Sequence, residues 1–485
     1  MATKLWSKGY EVDPIVERFE AARNAALDAE LARHDIWGSL AHARMLNSIG
    51  LLSEGEWHDV AGALRDLLHQ AEEGTLRPAA AEEDIHTTIE QALVARIGDT
   101  GKKIHTGRSR NDQVLLDLRL YTKEALLAIA ETLLEAVSTL HELAREHEWT
   151  PMPGYTHMQR AMLSSVGLWA ASYAEALLDD CGSLAAAYAL NDQSPLGSAA
   201  AYGTPLPLDR EQVARDLGFA RVHHNVLTAA NARGKGEAAV VQALALVVLD
   251  LSKWAQDVVL YTTSEYDFFA VPQELCTGSS IMPQKRNLGA LELVRARAQT
   301  VIALQGQILA TLAGLPSGYN MDYQETKAPL IEAVSLCSES LRVVALFAAN
   351  LSPNIEKLEA ACTAELFATD RAYELVRAGV PFRDAYRQVA ASPKDQEPGD
   401  LVQRLRARTS SGAPGNLGLD DLAKHIAAER AAWAQRRETF TRAISALVRP
   451  DYVMVESSGV NVRDAHANGT HDGHFGGNDA IVTGI

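Results

Sequence analysis

The sequence predicts an all-α protein built from long helices. Hydrophobic residues make up 47% of its 485 residues and aromatic residues only 6%, with many alanines and leucines. This composition favours helices over sheets. Apolar residues recur at helical spacing over long stretches, and the longest of these covers 114–147. No stretch shows a convincing strand alternation.

Residues 1–14 look irregular, and helices are predicted to follow them. Glycines interrupt the helical pattern, because glycine weakens a helix interior and favours its end. The predicted helices cover 15–51, 53–73 and 85–97, with Gly50, Gly74 and Gly98 at or near their ends. His34 and His42 lie eight positions apart in the first helix and lack a third ligand, so packing or capping is a better interpretation than metal binding.

Longer helices are predicted in the middle of the chain. Their ranges are 114–147, 237–261, 288–312 and 328–351. The most apolar segment, 238–249, is broken by Gln242 and ends at Asp250, so it predicts a buried helix that is too short to cross a bilayer. Pro353 marks a break before a small helical C-terminal region. The tail at 468–478 is rich in Gly, His and Asp, and a flexible terminus is favoured over a metal site there.

Charge and cysteine usage limit the partners and the compartment. A net charge of -17 argues against nucleic acid or an anionic membrane as the main partner. Cys181, Cys276, Cys337 and Cys362 are far apart, which disfavours zinc and disulfides and fits a reducing cytoplasm. No secretion signal is visible in 1–10. Because no GxGxxG, P-loop or metal-ligand spacing occurs, we expect no cofactor and no metal.

Residues 277–287 form a polar segment between two predicted helices. Gly278 and the paired serines after it give a mobile backbone with exposed N–H groups, which suits an anion. Lys285 and Asn287 add a positive charge and an amide donor just before the next helix begins. An ordinary loop between helices is the alternative interpretation.

A second polar segment, 105–113, precedes the longest predicted helix. Ser109 and Asp112 have the spacing of a capping box, so Ser109 is predicted to begin that helix. Arg110, a second arginine and Asn111 crowd the same helix N-terminus, an arrangement that suits a carboxylate. The alternative is a simple cap with solvated arginines.

Two further loops are candidates for the site. Residues 151–160 predict a Pro/Gly turn that runs into a helix and carries Thr156 and His157. A single histidine at a helix start is usually structural. Residues 196–205 are mostly small, which allows a close approach of the backbone to the site.

The motifs resemble those of a known enzyme superfamily. Residues 278–287 match the pattern Gly-Ser-Ser-x-Met-Pro-x-Lys-x-Asn of the fumarase/aspartase superfamily, and residues 105–113 are similar to the string that marks its argininosuccinate lyases. The resemblance covers essentially the whole chain and implies three helical domains with a central long-helix bundle. The implied domains are residues 1–108, 109–358 and 359–485. It also implies that four central bundles form a homotetramer in which each active site draws on three chains.

The resemblance implies a carbon–nitrogen lyase and assigns roles to residues. The expected reaction is a reversible β-elimination from an N-substituted aspartate of the argininosuccinate type, a small dicarboxylate, giving fumarate and arginine. Ser279 is the implied general base, and His157 with Glu292 belongs to the implied acid/base network. The implied substrate ligands are Ser109, Arg110, Asn111, Thr156, Lys285, Asn287, Tyr319, Gln324 and Lys327.

Some segments depart from the argininosuccinate lyase pattern. They are residues 7–10, 231–234, 288–289 and 321–328. Several acidic positions are lost, and acidic groups are what a pocket needs to bind a guanidinium. One alternative is therefore a lyase for another succinyl conjugate, such as ethylenediamine-disuccinate or nitrosuccinate. A catalytically inactive helical oligomer is a second alternative, which the intact Ser279, Lys285, Asn287 and His157 positions disfavour.

Overall fold

The computed structural model describes residues 13, 15–16, 19, 24–78, 84–392, 398–449, 452 and 454. The predictions for residues 1–12 and for the tail at 468–478 lie outside these residues. The described part is dominated by helices, as predicted. They surround one large apolar core that reaches from the N-terminal helices to the C-terminal helix.

The N-terminal part consists of short and medium helices. They are α1 (Asn24–Ala29), α2 (Ala32–Ser48), α3 (Glu54–Glu72), α4 (Ile85–Ile97) and α5 (Asp99–Lys102). The single helix predicted for 15–51 is wrong, because the chain turns between α1 and α2, where the Leu31 N–H donates to the Asp28 carbonyl at 3.0 Å. Side-chain caps fix the starts of α3 and α4: Ser53 forms a capping box for α3, and Asp84 accepts from the Thr87 N–H at 2.9 Å at the start of α4.

Five long helices form the centre of the molecule. They are α6 (Arg110–Glu146), α7 (Val166–Asn191), α10 (Lys235–Tyr261), α11 (Gly289–Leu312) and α12 (Lys327–Ala349). The short helices α8 (Arg210–Asp216) and α9 (Val226–Asn231) lie between α7 and α10 in the chain. The predicted central helices are confirmed, with small differences at their ends. Helices that follow one another among the five run antiparallel and pack side by side.

This packing gives the bundle two distinct ends. At one end the side-chain amide of Asn191, the last residue of α7, lies 3.4 Å from the Gly236 carbonyl at the start of α10. At the other end the rings of Tyr155 and Tyr261 are 6.2 Å apart. An α-helix rises about 1.5 Å per residue, so the 27 residues of α10 separate the two ends by about 40 Å. We call them the Arg110 end, where α6, α10 and α12 begin, and the Ser279 end, where α7 and α11 begin.

A β-hairpin corrects the prediction that no strands occur. Strands β1 (Pro151–Thr156) and β2 (Gln159–Ser165) pair antiparallel between α6 and α7, where a turn leading directly into a helix was predicted. The reason is local: Pro151 and Pro153 cannot donate the N–H that a helix interior needs. Four further strands have two residues each and form two pairs. Strand β3 (Gln193–Ser194) pairs with β4 (Arg221–Val222), and β5 (Phe269–Ala270) pairs with β6 (Ser352–Pro353).

Helix α10 is longer than its apolar centre suggested. Its 27 residues make it the one helix in the described part of the chain with the length and composition to cross a membrane. The sequence had predicted only a short apolar segment, too short to cross a bilayer, so the helix is longer than that segment suggested. However, 61% of its most apolar 18-residue stretch is buried, and Trp254 in the same helix is only 1% exposed. Burial of this extent is typical of a core helix.

The C-terminal part begins with small helices and ends with a long one. They are α13 (Ile355–Ala360), α14 (Ala368–Arg377), α15 (Phe382–Ala390), α16 (Leu401–Arg406) and α17 (Leu419–Val448). Helix α17 returns along α6, where the Arg430 guanidinium donates to the Leu134 carbonyl at 3.0 Å. Its Phe440 packs against Trp37 of α2, with ring centroids 6.2 Å apart, and against the buried Lys123 ammonium at 5.1 Å. The domain boundaries at 108 and 358 stay a prediction.

The contact of α17 with the core predicts a large stability effect. Phe440 is fully buried, so Phe440→Ala is expected to lower the free energy of unfolding by about 3–5 kcal/mol through lost burial and a cavity. Urea unfolding followed by circular dichroism measures the change. Phe382→Ala is the control: Phe382 is 43% exposed and its ring contacts are those with Tyr373 and Tyr386, so about 1 kcal/mol is expected. Equal losses in the two variants would contradict this account of the core.

Candidate active site

The twelve predicted site residues divide equally between the two ends of the bundle. The set at the Arg110 end is Ser109, Arg110, Asn111, Tyr319, Gln324 and Lys327. The set at the Ser279 end is Thr156, His157, Ser279, Lys285, Asn287 and Glu292. With about 40 Å of helix between them, one chain does not bring the two sets together.

The Arg110 end is organised by the cap of α6. The Ser109 N–H donates to the Asp112 carboxylate at 2.9 Å, and Ser109 Oγ accepts from the Asn111 N–H at 3.3 Å. The predicted capping box is therefore confirmed. Arg110 follows the cap directly, and its guanidinium donates to Asp84 at 2.8 Å. The helix N-terminus and this arginine concentrate positive charge at one spot of an acidic protein.

Lys327 lies at the start of α12 and is almost completely buried. Its ammonium donates to Asp28 Oδ1 at 2.5 Å, and Asp28 Oδ2 is buried with no hydrogen-bond partner. Burial lowers the pKa of Lys327, while the Asp28 carboxylate opposes that shift. Asp28 was not among the predicted site residues. It lies 299 positions before Lys327, and no local pattern connects the two.

A third group at this end surrounds Arg233. Its guanidinium donates to Gln324 Oε1 at 3.1 Å and lies over the Tyr319 ring at 5.6 Å from the centroid. The Gln324 amide donates to the Tyr319 hydroxyl at 3.1 Å. Arg233 is 2% exposed, yet its Nε and Nη1 have no hydrogen-bond partner. Buried donors without partners are rare, so these two N–H groups are candidate ligands for an anion.

Behind the Arg110–Asp84 pair lies a buried network of charges. His86 Nδ1 hydrogen-bonds to Asp35 and lies 3.8 Å from Asp117 Oδ2. Burial alone would lower the pKa of His86, but the charge and hydrogen bond of Asp35 raise it to about 9. Burial also acts to raise the pKa of Asp84, but the positive charges of His86 and Arg110 hold it below its usual value. The network therefore keeps Asp84 ionised to face Arg110.

The same network has the spacing of a metal site. Ligand atoms of Asp35, His86 and Asp117 lie within 4.8 Å of one another. The raised pKa of His86 indicates that its imidazole is protonated here and pairs with both carboxylates. The arrangement is an ion-pair network that supports the site.

At the Ser279 end, residues 277–287 form an exposed loop. Its base is closed by Thr277 and Asn287, whose backbone N–H groups each donate to the other's carbonyl at 2.9 Å. Ser279 Oγ accepts from the backbone N–H of Met282 at 3.1 Å and of Ile281 at 3.4 Å. The loop is thus tied at its base while its centre projects into solvent. The exposure of the loop agrees with the prediction of a polar segment between two helices.

His157 stands at the tip of the hairpin, and its predicted place at a helix start is wrong. His157 and Met158 have φ angles of 54° and 61°. Two successive residues in the left-handed region are what a two-residue hairpin turn of this kind requires. Thr156 and His157 are exposed, and so is Glu292 in the first turn of α11. These side chains of the Ser279 end are thus available to another molecule.

Comparisons with known proteins show the family of this chain. A protein-family model described as a lyase matches residues 8–303. Argininosuccinate lyase from Sorangium cellulosum is 46% identical over 426 residues, spanning 88% of this chain and 99% of that relative. The chain belongs to the argininosuccinate lyase family. Argininosuccinate lyase from Thermotoga neapolitana is 41% identical over 390 residues, 80% of this chain and 98% of the relative. The predicted superfamily is confirmed, and the chain is a carbon–nitrogen lyase.

A solved structure with the same fold supports the all-α prediction. EDDS lyase in complex with formate superposes with a TM-score of 0.77, spanning 92% of this chain and 98% of that one. Its sequence identity is 23%, which shows the fold alone.

The His86 network predicts a pH-dependent stability. Folding raises the pKa of His86 from 6.5 to about 9. The ion pairs of His86 therefore stabilise the folded protein fully below pH 6.5, and this stabilisation is lost as the pH rises through about 9. This amounts to about 3 kcal/mol. We expect His86→Gln to remove that part of the pH dependence, measured by urea unfolding between pH 6.5 and 9.5.

His105→Gln is the matched control for this experiment. Burial lowers the pKa of His105 to about 4, so it is already neutral in the folded protein above pH 6.5. This variant should keep the pH dependence of the wild type. If His86→Gln also kept the wild-type pH dependence, the His86 network would not be the source of that dependence.

Proposed function

We propose that this carbon–nitrogen lyase cleaves argininosuccinate to fumarate and arginine in a reversible β-elimination. The observation that carries the proposal is the 46% identity to an argininosuccinate lyase over 99% of that relative. EDDS lyase shares the fold alone, so it gives no reason to prefer ethylenediamine-disuccinate as the substrate. One half of the site contains Arg110 and Lys327 and the other contains Ser279, which suits a doubly negative succinyl group attacked by a base.

Ser279 is the proposed base, acting as its alkoxide. It takes the proton from the carbon next to a carboxylate, the C–N bond breaks with its electrons going to nitrogen, and the double bond of fumarate forms. The N–H groups of Ile281 and Met282 that donate to its Oγ would stabilise the negative charge on that oxygen. Lys285 and Asn287 are proposed to stabilise the extra charge that develops on the substrate carboxylate.

Protonation of the leaving nitrogen is assigned to the hairpin tip. His157 is proposed to supply or organise this proton, and Glu292 to pair with it. Thr156 is proposed as a carboxylate ligand. Closure of the 277–287 loop over the substrate would bring Ser279 to the reacting carbon and exclude water. The exposure of the loop and its closed base support such a movement.

The Arg110 end is proposed to bind the rest of the substrate by exchanging ion-pair partners. Arg110 and Lys327 are paired with Asp84 and Asp28 in the isolated chain. Substrate carboxylates would replace the two aspartates as partners of Arg110 and Lys327. The aspartates would then bind the guanidinium of the substrate. The remaining proposed ligands here are Ser109, Asn111, Tyr319 and Gln324. Asp28 and Asp84 supply the acidic groups that the sequence departures had removed elsewhere.

A complete site requires more than one chain, and we propose a homotetramer. The long helices leave large apolar side chains uncovered in the single chain, which disfavours a monomer. They include Leu246, Leu249, Leu293, Ile302 and Leu309. Each site would then combine the two sets of residues from three chains. The four cysteines are free, in keeping with a proposed cytoplasmic location.

The proposed base is tested with Ser279→Ala in the full-length enzyme. The wild type should form fumarate from argininosuccinate, followed by ultraviolet absorbance. The variant should lose about 10²–10⁴-fold in kcat, the usual contribution of a general base. Ser264→Ala, which removes another exposed serine ahead of the loop, should keep wild-type activity. Turnover by Ser279→Ala equal to the control would remove the serine from this role, and a wild type inactive on argininosuccinate would refute the substrate.

Sharing of sites between chains is tested by mixing inactive variants. Ser279→Ala and Arg110→Ala change opposite ends, so co-expressed chains can assemble sites with both residues intact. About one quarter of the wild-type activity is then expected from random mixing of equal amounts.

The control mixture combines Ser279→Ala with Lys285→Ala. Both residues lie in the same loop, so every site receives them from one chain and no intact site can form. Activity in this mixture, or none in the first, would contradict the sharing of sites.

A further inference from the structure

A loop of small residues, 195–204, is held against the start of α6 by one buried carboxylate. Asp112 Oδ2 accepts hydrogen bonds from the backbone N–H groups of Gly197 at 3.0 Å and Ala199 at 2.8 Å. Its Oδ1 accepts from the Ser109 N–H at 2.9 Å. Asp112 is 2% exposed. The group that caps the helix carrying Arg110 thus also fixes the position of this loop.

The first residues of the loop are also fixed by Arg210. Its Nε donates to the Leu196 carbonyl at 3.0 Å, and its Nη2 to the Pro195 carbonyl at 3.4 Å. Ala199, which Asp112 holds, and Ala201, two residues further on, have φ angles of 52° and 77°. A non-glycine residue in this region costs about 1–3 kcal/mol and persists only where its surroundings enforce it. The backbone is therefore rigid and strained.

This rigid backbone presents one large side chain to solvent. Tyr202 is 76% exposed, although its neighbour Ala201 is 1% exposed. Its hydroxyl lies 3.7 Å from the point that a Cβ on Gly318 would occupy. Gly318 directly precedes Tyr319, whose ring carries the Arg233 guanidinium. Tyr202 therefore stands beside the group formed by Arg233, Tyr319 and Gln324 at the Arg110 end.

We propose that Tyr202 determines specificity by contacting the departing amine half of the substrate. The inference rests on the proposed function. The face of an aromatic ring carries negative potential, so it attracts a guanidinium and disfavours a carboxylate. A planar guanidinium also stacks on such a ring. The succinyl half requires positive charge, so the amine half is the part of argininosuccinate that suits this tyrosine.

The test measures the reverse reaction with the full-length enzyme. Tyr202→Ala is expected to raise the KM for arginine by about fivefold to thirtyfold, the range of a cation–π contact. The KM for fumarate should stay unchanged. Tyr202→Phe keeps the ring and should keep the wild-type KM for arginine. Because Tyr202 is exposed, both variants should fold, and their unfolding temperatures check this.

Tyr386→Ala is the matched control, since Tyr386 is a 58% exposed tyrosine on α15. It should behave as the wild type. An unchanged arginine KM in Tyr202→Ala, or equal rises for arginine and fumarate, would overturn the role of Tyr202 while the proposed function stands. A wild type that forms no argininosuccinate from fumarate and arginine would overturn the proposed function and this inference with it.

Discussion

The length of the central helices is the constraint on which the rest of this structure depends. A helix rises by a fixed amount per residue, so the 27 residues of α10 keep its two ends about 40 Å apart. Motifs at helix ends must then fall into two groups, one with Arg110 and one with Ser279. The first group holds the cations Arg110 and Lys327, and the second holds the proposed base Ser279 with the imidazole of His157. Association between chains thus becomes a chemical requirement of the proposed reaction.

Burial of charge shapes the Arg110 end. An ion taken out of water is stable only when it is paired, and here Lys327 pairs with Asp28 and His86 with Asp35. These pairs hold the cations in fixed positions before a substrate arrives. Among the exceptions are two N–H groups of Arg233 and one oxygen of Asp28, which have no hydrogen-bond partner. They lie among the predicted ligands, where a bound anion and a bound cation would satisfy them.

Backbone strain occurs at both ends of the bundle. His157 and Met158 adopt left-handed φ angles at the hairpin tip, and Ala199 and Ala201 do so in the loop beside Gly318. In each place the strained backbone fixes the direction in which an exposed side chain points. Ordinary turn residues would leave that direction variable. The loop is over-determined by Asp112 and Arg210, and the tip by strand pairing. Positioning by backbone is thus common to both halves of the site.

The sequence by itself determined most of the helices, the cap of α6 and the family. Ser109 and the long apolar repeats act locally, so their signals survive without the fold. The hairpin at 151–165 escaped prediction because its turn residues, His157 and Met158, are not the Asn or Gly that usually mark such turns. Only the tertiary structure decided which charges meet, as with Asp28 and Lys327, and that the site residues form two sets. Contacts across hundreds of residues depend on helix packing, and no local pattern records them.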